Sequence, residues 1–212
     1  GDVIVQRDLA KTLRRIAADN ALDFYKGETA KLLVDGVRKN GGIWNLSDLN
    51  SYSVIERLPL VGEYKNAKII SAPPPSSGGV VLLQALNILR NYNLDQLDEA
   101  DKVHVISEAM RRAYRDRADF LGDPDFSDIE TEKLISIAYA DSLSEDLSLE
   151  KATPSTALTP LNKKKEGEDT THFSVLDEHG NRVAATLSIN YPFGATFVAP
   201  GTGVLLNNEM DD

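Results

Sequence analysis

The chain has 212 residues, 42% of them hydrophobic and 26% charged, with a formal net charge of −10. That length can bury one sizeable core or two small ones, while the acidity argues against a nucleic-acid partner, because phosphates call for a basic face. Cysteine is absent, which excludes disulfides, thiolate catalysis and cysteine zinc sites, and no stretch reaches the roughly 18 to 20 apolar residues of a membrane span.

Residues 7–19 carry Leu9, Leu13 and Ile16 at helical spacing, with Asp8 as a candidate cap. A second helix is predicted over 28–39, with Leu32, Leu33 and Val37 inward and Asn40-Gly41-Gly42 as its stop. Ser47-Asp48-Leu49 starts a short helical turn. Two strands are predicted, 58–64 and 67–71, around a Lys65-Asn66 turn. The prolines of APPPSSGG, residues 72–79, end the second strand, since proline neither donates to a sheet nor continues a helix. Ser76 or Ser77 would cap the helix that follows to about Asn91, and Gly78-Gly79 would permit close backbone packing. A longer helix over 100–120 aligns Val103, Ile106, Met110, Ala113 and Tyr114 on one face, and Gly122-Asp123-Pro124-Asp125 turns the chain.

Residues 151–169 include Pro154, Pro160 and three consecutive lysines, without periodicity, and read as a linker. Beyond them the period becomes two. A strand from Thr171 to Leu176, a turn over 177–181 and a returning strand to Asn190 make a hairpin, followed by a loop and strand over 194–206. The division is therefore 1–150, mostly helical; 151–169, linker; and 170–212, β. The chain lacks an initiator Met and stops soon after GVLL, so both ends are expected to be cut.

His104, His172 and His179 have no i,i+4 partner and no H-E-x-x-H spacing, and Asp116, Asp119, Asp123 and Asp125 do not match a calcium loop. Neither a metal nor a cofactor is expected. The chemical candidate is Thr170, at the junction of linker and hairpin. A threonine hydroxyl is a poor nucleophile without an adjacent base. Cleavage before Thr170 would supply one, an α-amino group with a pKa of about 8 on the same residue. The alternative from the residues alone is an ordinary strand-edge threonine.

Four segments narrow that choice: FYKGETA with KNGG at 24–42, APPPSSGG at 72–79, AYRDRADFLGDPDF at 113–126, and DTTHFSVLDEHGNRVAATLSIN with GTGVLLNNEMDD within 169–212. In this order and at these separations the chain resembles the γ-glutamyltranspeptidase family of N-terminal-nucleophile hydrolases. The resemblance implies an α+β chain, part of an αββα sandwich left incomplete by truncation at both ends. It would hold the end of a large subunit, a linker and the start of a small subunit from one self-cleaving precursor.

The implied cleavage lies between Asp169 and Thr170. Thr170 would then attack the γ-carbonyl of glutathione or another γ-glutamyl compound, and the acyl group would pass to water, an amino acid or a peptide. Ser188 stands where the family has a second threonine beside the nucleophile, keeping the hydroxyl and losing the methyl. Asn190, Glu209 and Asp212 match positions that bind the α-carboxylate and α-amino ends of the glutamyl group. The family's oxyanion serines and glycines would lie beyond Asp212 and its carboxylate-binding arginine before Gly1, so the 212-residue piece alone is expected to be inactive. Arg111, Arg112, Arg115 and Arg117 lie on the wrong motif to replace that arginine, and APPPSSGG is read as structural support. The resemblance also implies a periplasmic or secreted location. Alternatives on the same scaffold are a poly-γ-glutamate transpeptidase and a β-lactam acylase; a non-enzymatic domain is the third. Glu209 with Asp212 favours a substrate with a free α-amino group, which counts against the acylase.

Overall fold

A computed structural model describes residues 1–158 and 170–209. The chain is α+β, as expected, and these residues divide into two units: 1–55 with 170–209, and 56–158. The boundary at 55 has no counterpart in the sequence division at 150 and 169, because segments far apart in the chain share one unit.

In the first unit, helix α1 (Arg7–Asp19) starts after Gln6, which gives no side-chain cap. Asp8, the expected cap, lies in the first turn, where a carboxylate meets the positive end of the helix dipole. The inward face also differs from the apolar pattern. Leu13 is 56% exposed and Thr12 is fully buried. Polar contacts orient this helix: Thr12 Oγ1 donates to the Thr202 carbonyl at 2.7 Å, and Arg15 Nε donates to Thr29 Oγ1 at 2.9 Å.

A short helix without a sequence expectation, α2 (Leu22–Lys26), supplies Asp23. Its carboxylate accepts from the Glu28 and Thr29 amides and pairs with Arg15 at 3.0 Å, so it caps α3 (Glu28–Lys39) from the preceding helix. Desolvation works against ionisation of Asp23, but the Thr29 hydroxyl, the two amides and Arg15 outweigh it and lower its pKa. The span of α3 is the expected one. It buries Leu33 with Ala30, Val34 and Gly36, while Leu32 and Val37 are half-buried. Helix α4 (Leu46–Asn50) follows a capping box between Asn45 and Asp48, which accounts for the turn foreseen at 47–49.

The second unit opens with the foreseen hairpin, β1 (Leu60–Tyr64) and β2 (Ala67–Ser71), joined at Lys65 with φ of 52°. Helix α5 (Gly78–Leu89) begins after Ser77, which makes no side-chain cap. The Ser77 hydroxyl instead accepts from Arg117 Nε at 2.9 Å. Gly79 meets the chain closely: a Cβ there would lie 2.2 Å from the Ala72 carbonyl oxygen. Gly78 has room.

Helix α6 (Glu99–Phe120) starts at Asp98, whose side chain accepts from the Asp101 amide. Its expected apolar face is largely open, with Val103 at 64% exposure and Ile106, Met110 and Tyr114 also exposed; Ala113 alone of that set is buried. The packed face is Val105, Ala109 and Ala113 against Ala85, Ile88 and Leu89 of α5, together with Ala140 and Leu143. Small side chains on α6 let the two helices close. Helices α7 (Thr131–Leu134) and α8 (Ile137–Ser144) complete this unit.

The same α6 face buries charge. Arg112 gives its Nε–H to the Leu143 carbonyl at 2.7 Å, with further bonds to Glu108 Oε2 at 2.6 Å, Asp146 at 2.7 Å and Thr153 Oγ1 at 3.1 Å. Asp116 accepts from Gln84 at 2.8 Å and from Arg115. The expected linker is docked where it is described, for Thr153 meets Arg112 and Leu158 is buried. Its remainder, 159–169, lies outside the described residues.

Desolvation pushes the Glu108 carboxyl up, but hydrogen bonds from Thr153 and Arg112 and the charges of Arg111 and Arg112 prevail and hold it at about 2. A depressed folded pKa contributes stability above the unfolded value, 4.5, that is lost as pH falls toward about 2. Glu108→Gln should flatten that part of an acid-unfolding curve followed by circular dichroism. Gly79→Ala should cost about 1–3 kcal/mol by overpacking, read as a lowered midpoint in thermal unfolding.

Candidate active site

The linker-to-strand junction leads into β3 (Thr170–Leu176), antiparallel to β4 (Arg182–Ser188). The turn between them is built by Asp177, whose carboxylate accepts from the amides of His179 and Asn181 and from Asn181 Nδ2. Gly180 takes the positive φ of 81° that closes it. Those bonds, led by the Asn181 side chain, lower the Asp177 pKa.

This turn sets the register, which pairs Thr170 with Ser188, His172 with Thr186 and Ser174 with Ala184. Because strand residues alternate between faces, one face of the ladder carries Thr170, His172, Ser174, Thr186 and Ser188. The other carries Thr171, Phe173, Val175, Val183, Ala185 and Leu187. The two candidate hydroxyl residues thus stand directly across from one another, Thr170 being placed by its backbone register.

Ser188 Oγ accepts from the Asn190 amide at 2.9 Å. An oxygen anchored in that way keeps its own proton to donate. Asn190 adopts φ of 66° and is 6% exposed. One of its Nδ2 protons goes to the Asn208 carbonyl at 3.1 Å, and an amide nitrogen has a second to give.

Asn208, to which the sequence assigns no role, is a clamp in the structure. Its Oδ1 accepts from the Tyr191 amide at 3.1 Å and its own amide donates to the Ile189 carbonyl at 3.3 Å. Glu209 has an exposed side chain, and its amide donates to Asn207 Oδ1 at 3.0 Å. Asp169 and Asp212 lie outside the described residues.

The chain reaches Asn208 through a tight return rather than the strand expected over 194–206. Only one bridge, Val198 with Leu205, forms there. Two backbone positions explain the shape. A Cβ on Gly194 (φ 50°) would lie 2.3 Å from the Leu206 carbonyl oxygen, and one on Gly203 (φ 66°) would lie 2.3 Å from the Leu9 amide nitrogen. Buried Thr202 accepts the Val204 amide on its Oγ1 and gives its own hydroxyl proton to Ala199. Sequence patterning could not reveal this anchoring, since Thr202 reads as one more polar residue between glycines.

The other histidines have local explanations. His104 Nε2 lies 2.8 Å from the Ser148 carbonyl, and His179 is exposed in its turn. Among the described residues no group of three or more His, Asp or Glu could hold a metal ion, and no helix is long and apolar enough to cross a membrane. A cavity of about 260 Å³ in the second unit is lined by Asp119, Phe120, Ser127, Lys133 and Tyr139 among others, none of them a catalytic or substrate-binding residue implied by the resemblance.

Comparison with known proteins gives consistent matches. Residues 1–212 fit the family described as Gamma-glutamyltranspeptidase. A glutathione hydrolase proenzyme from Escherichia coli (strain K12) is 42% identical over 215 residues, covering all of this chain and 37% of that protein. The chain thus spans little more than a third of the length of that curated relative. Among solved structures, γ-glutamyltranspeptidase of Helicobacter pylori aligns with a TM-score of 0.71 and 43% identity over 80% of this chain and 49% of its own. A cephalosporin acylase from Bacillus halodurans aligns over all of this chain and 37% of its own, with a TM-score of 0.86 and 30% identity.

The Asn208 clamp has a direct consequence. Asn208→Ala removes the acceptor for the Tyr191 amide, at a cost of about 1–3 kcal/mol if that donor is left unpaired. Hydrogen exchange at Tyr191 should accelerate in the variant while exchange within α3 is unchanged.

Proposed function

The chain belongs to the γ-glutamyltranspeptidase family, and from that premise we propose that the whole protein cleaves itself between Asp169 and Thr170 and then transfers or hydrolyses γ-glutamyl groups. Self-cleavage begins with attack of Thr170 Oγ on the Asp169 carbonyl carbon. The C–N bond breaks as the nitrogen takes a proton, leaving an ester between Asp169 and the Thr170 oxygen. Water opens the ester to the Asp169 carboxylate and a free Thr170 hydroxyl.

Thr170 now has an α-amino group, with a pKa of about 8, beside its own hydroxyl. That amine accepts the hydroxyl proton, Oγ attacks the γ-carbonyl of the donor, and the leaving amine departs with a proton. The γ-glutamyl ester then passes to water, an amino acid or a peptide. Glutathione fits as donor. In this reading the Ser188 proton supports the attacking oxygen, the Asn190 amide donates to the donor's α-carboxylate, and Glu209 with Asp212 accepts from its ammonium.

The observation that carries the reading is the register pairing of Thr170 with Ser188, whose oxygen is already fixed by the Asn190 amide. The activity is proposed for the whole protein, in the periplasm or secreted, with the large and small subunits made from one precursor. A β-lactam acylase on the same scaffold is the second reading, favoured by the match to the Bacillus halodurans enzyme over all of this chain. It needs no pair of carboxylates for an ammonium, and Glu209 with Asp212 makes the γ-glutamyl donor the better fit.

Denaturing gels and mass analysis of the full-length protein should give two chains, the smaller beginning at Thr170, and the protein should release the chromophore of a γ-glutamyl anilide. Thr170→Ala should abolish both. Ser188→Ala should slow donor turnover by about tenfold or more, because the attacking oxygen loses one hydrogen-bond donor worth about 1.5 kcal/mol. An intact single chain that releases no chromophore would sink the enzyme reading. Preference for an acyl anilide without an α-amino group would select the acylase.

A further inference from the structure

We propose that His172 is the proton acceptor for the self-cleavage step, acting through the Thr186 hydroxyl; this rests on the self-cleaving reading above. Before the bond breaks, the Thr170 nitrogen belongs to a peptide and is not a base. The amine that serves turnover does not yet exist, and the hydroxyl proton needs another destination.

The ladder face that Thr170 shares supplies few choices. Along β3 it carries His172, Ser174 and Leu176; along β4, the element packed against it, it carries Ser188, Thr186, Ala184 and Arg182. Hydroxyls are not bases near neutral pH, and arginine stays charged. Imidazole is the side chain suited to taking and returning a proton there.

His172 is held for the task. Its Nδ1 lies 2.8 Å from Thr186 Oγ1 and its Nε2 lies 3.4 Å from Ser174 Oγ. With the proton on Nε2, Thr186 donates to Nδ1 and leaves its own oxygen open. By register Thr186 is the diagonal cross-strand neighbour of Thr170, a separation that two short hydroxyl side chains span through one bridging water. As Thr170 Oγ bonds to the Asp169 carbonyl carbon, its proton moves to Thr186 Oγ1 and the Thr186 proton moves to Nδ1. As the C–N bond breaks, the imidazolium returns a proton by the same route to the departing nitrogen. The ring ends as it began, and the new amine takes over for turnover.

The test follows self-cleavage of the full-length precursor on denaturing gels across pH 6–9, with turnover expressed per cleaved molecule. His172→Asn keeps a hydrogen-bonding group near Thr186 and loses the base. It should slow cleavage about 100-fold or more, abolish the rise in cleavage rate through neutral pH, and reduce turnover per cleaved molecule far less. Added imidazole should restore part of the cleavage rate. Thr186→Val should behave similarly and Thr186→Ser should recover. The proposal is overturned if His172→Asn cleaves at the wild-type rate, or if cleavage and turnover fall together with the pH profile unmoved and no rescue by imidazole. His172→Gln provides the same reading should the Asn variant fold poorly. A wild-type chain that never splits before Thr170 would instead overturn the self-cleaving reading itself.

Discussion

Everything at the candidate site depends on the register of one antiparallel pair. A slip of a single residue between β3 and β4 would exchange the two faces, sending Thr170 and His172 to the side now held by Phe173 and Val175. Both ends of the hairpin guard against that slip. At the turn, Asp177 gathers the amides of His179 and Asn181. At the open end, Ser188 receives the Asn190 amide, and Asn208 holds the backbone at Ile189 and Tyr191. The candidate pair lies at the open end of the ladder, where Ser188 is itself one of the polar fastenings.

The second unit shows the same preference for polar specification inside a core. Arg112 is fully buried, yet its guanidinium is answered by a carbonyl, two carboxylates and a hydroxyl. Such a group is costly when any partner is removed and close to neutral when all are present. Its geometry ties α6 to Leu143, Asp146 and Thr153, three points an apolar side chain of similar size could not have distinguished.

Sequence patterning recovered the elements more readily than the contacts. The span of α3, the β1–β2 turn at Lys65 and the hairpin at 170–188 were legible because turn residues and periodicity act locally. The faces of α1 and α6 were not. On α6 the apolar stripe predicts the wrong side, and on α1 it is right only in part, with Leu9 and Ile16 half-buried but Leu13 exposed. Burial of Thr12 and Arg112 is decided by distant partners, Thr202 in one case and Leu143 with Asp146 in the other. Resemblance supplied the residues to watch, Thr170, Ser188 and Asn190. It could not supply Asn208 or the bonding of His172, which exist only once two strands and a return loop are set side by side.

The meeting of Thr12 with Thr202 has a consequence of another kind. One hydroxyl reaches across 190 positions of chain, and the approach of Gly203 to Leu9 and of Gly36 to Ala199 and Pro200 lies in the same unit. In an uncut chain these contacts are intramolecular and indifferent to dilution. Under the proposed cleavage before Thr170, the same atoms would become the interface of a heterodimer. The persistence of that interface would obey mass action, and the melting temperature of a cleaved form would acquire a dependence on protein concentration that the uncut chain lacks.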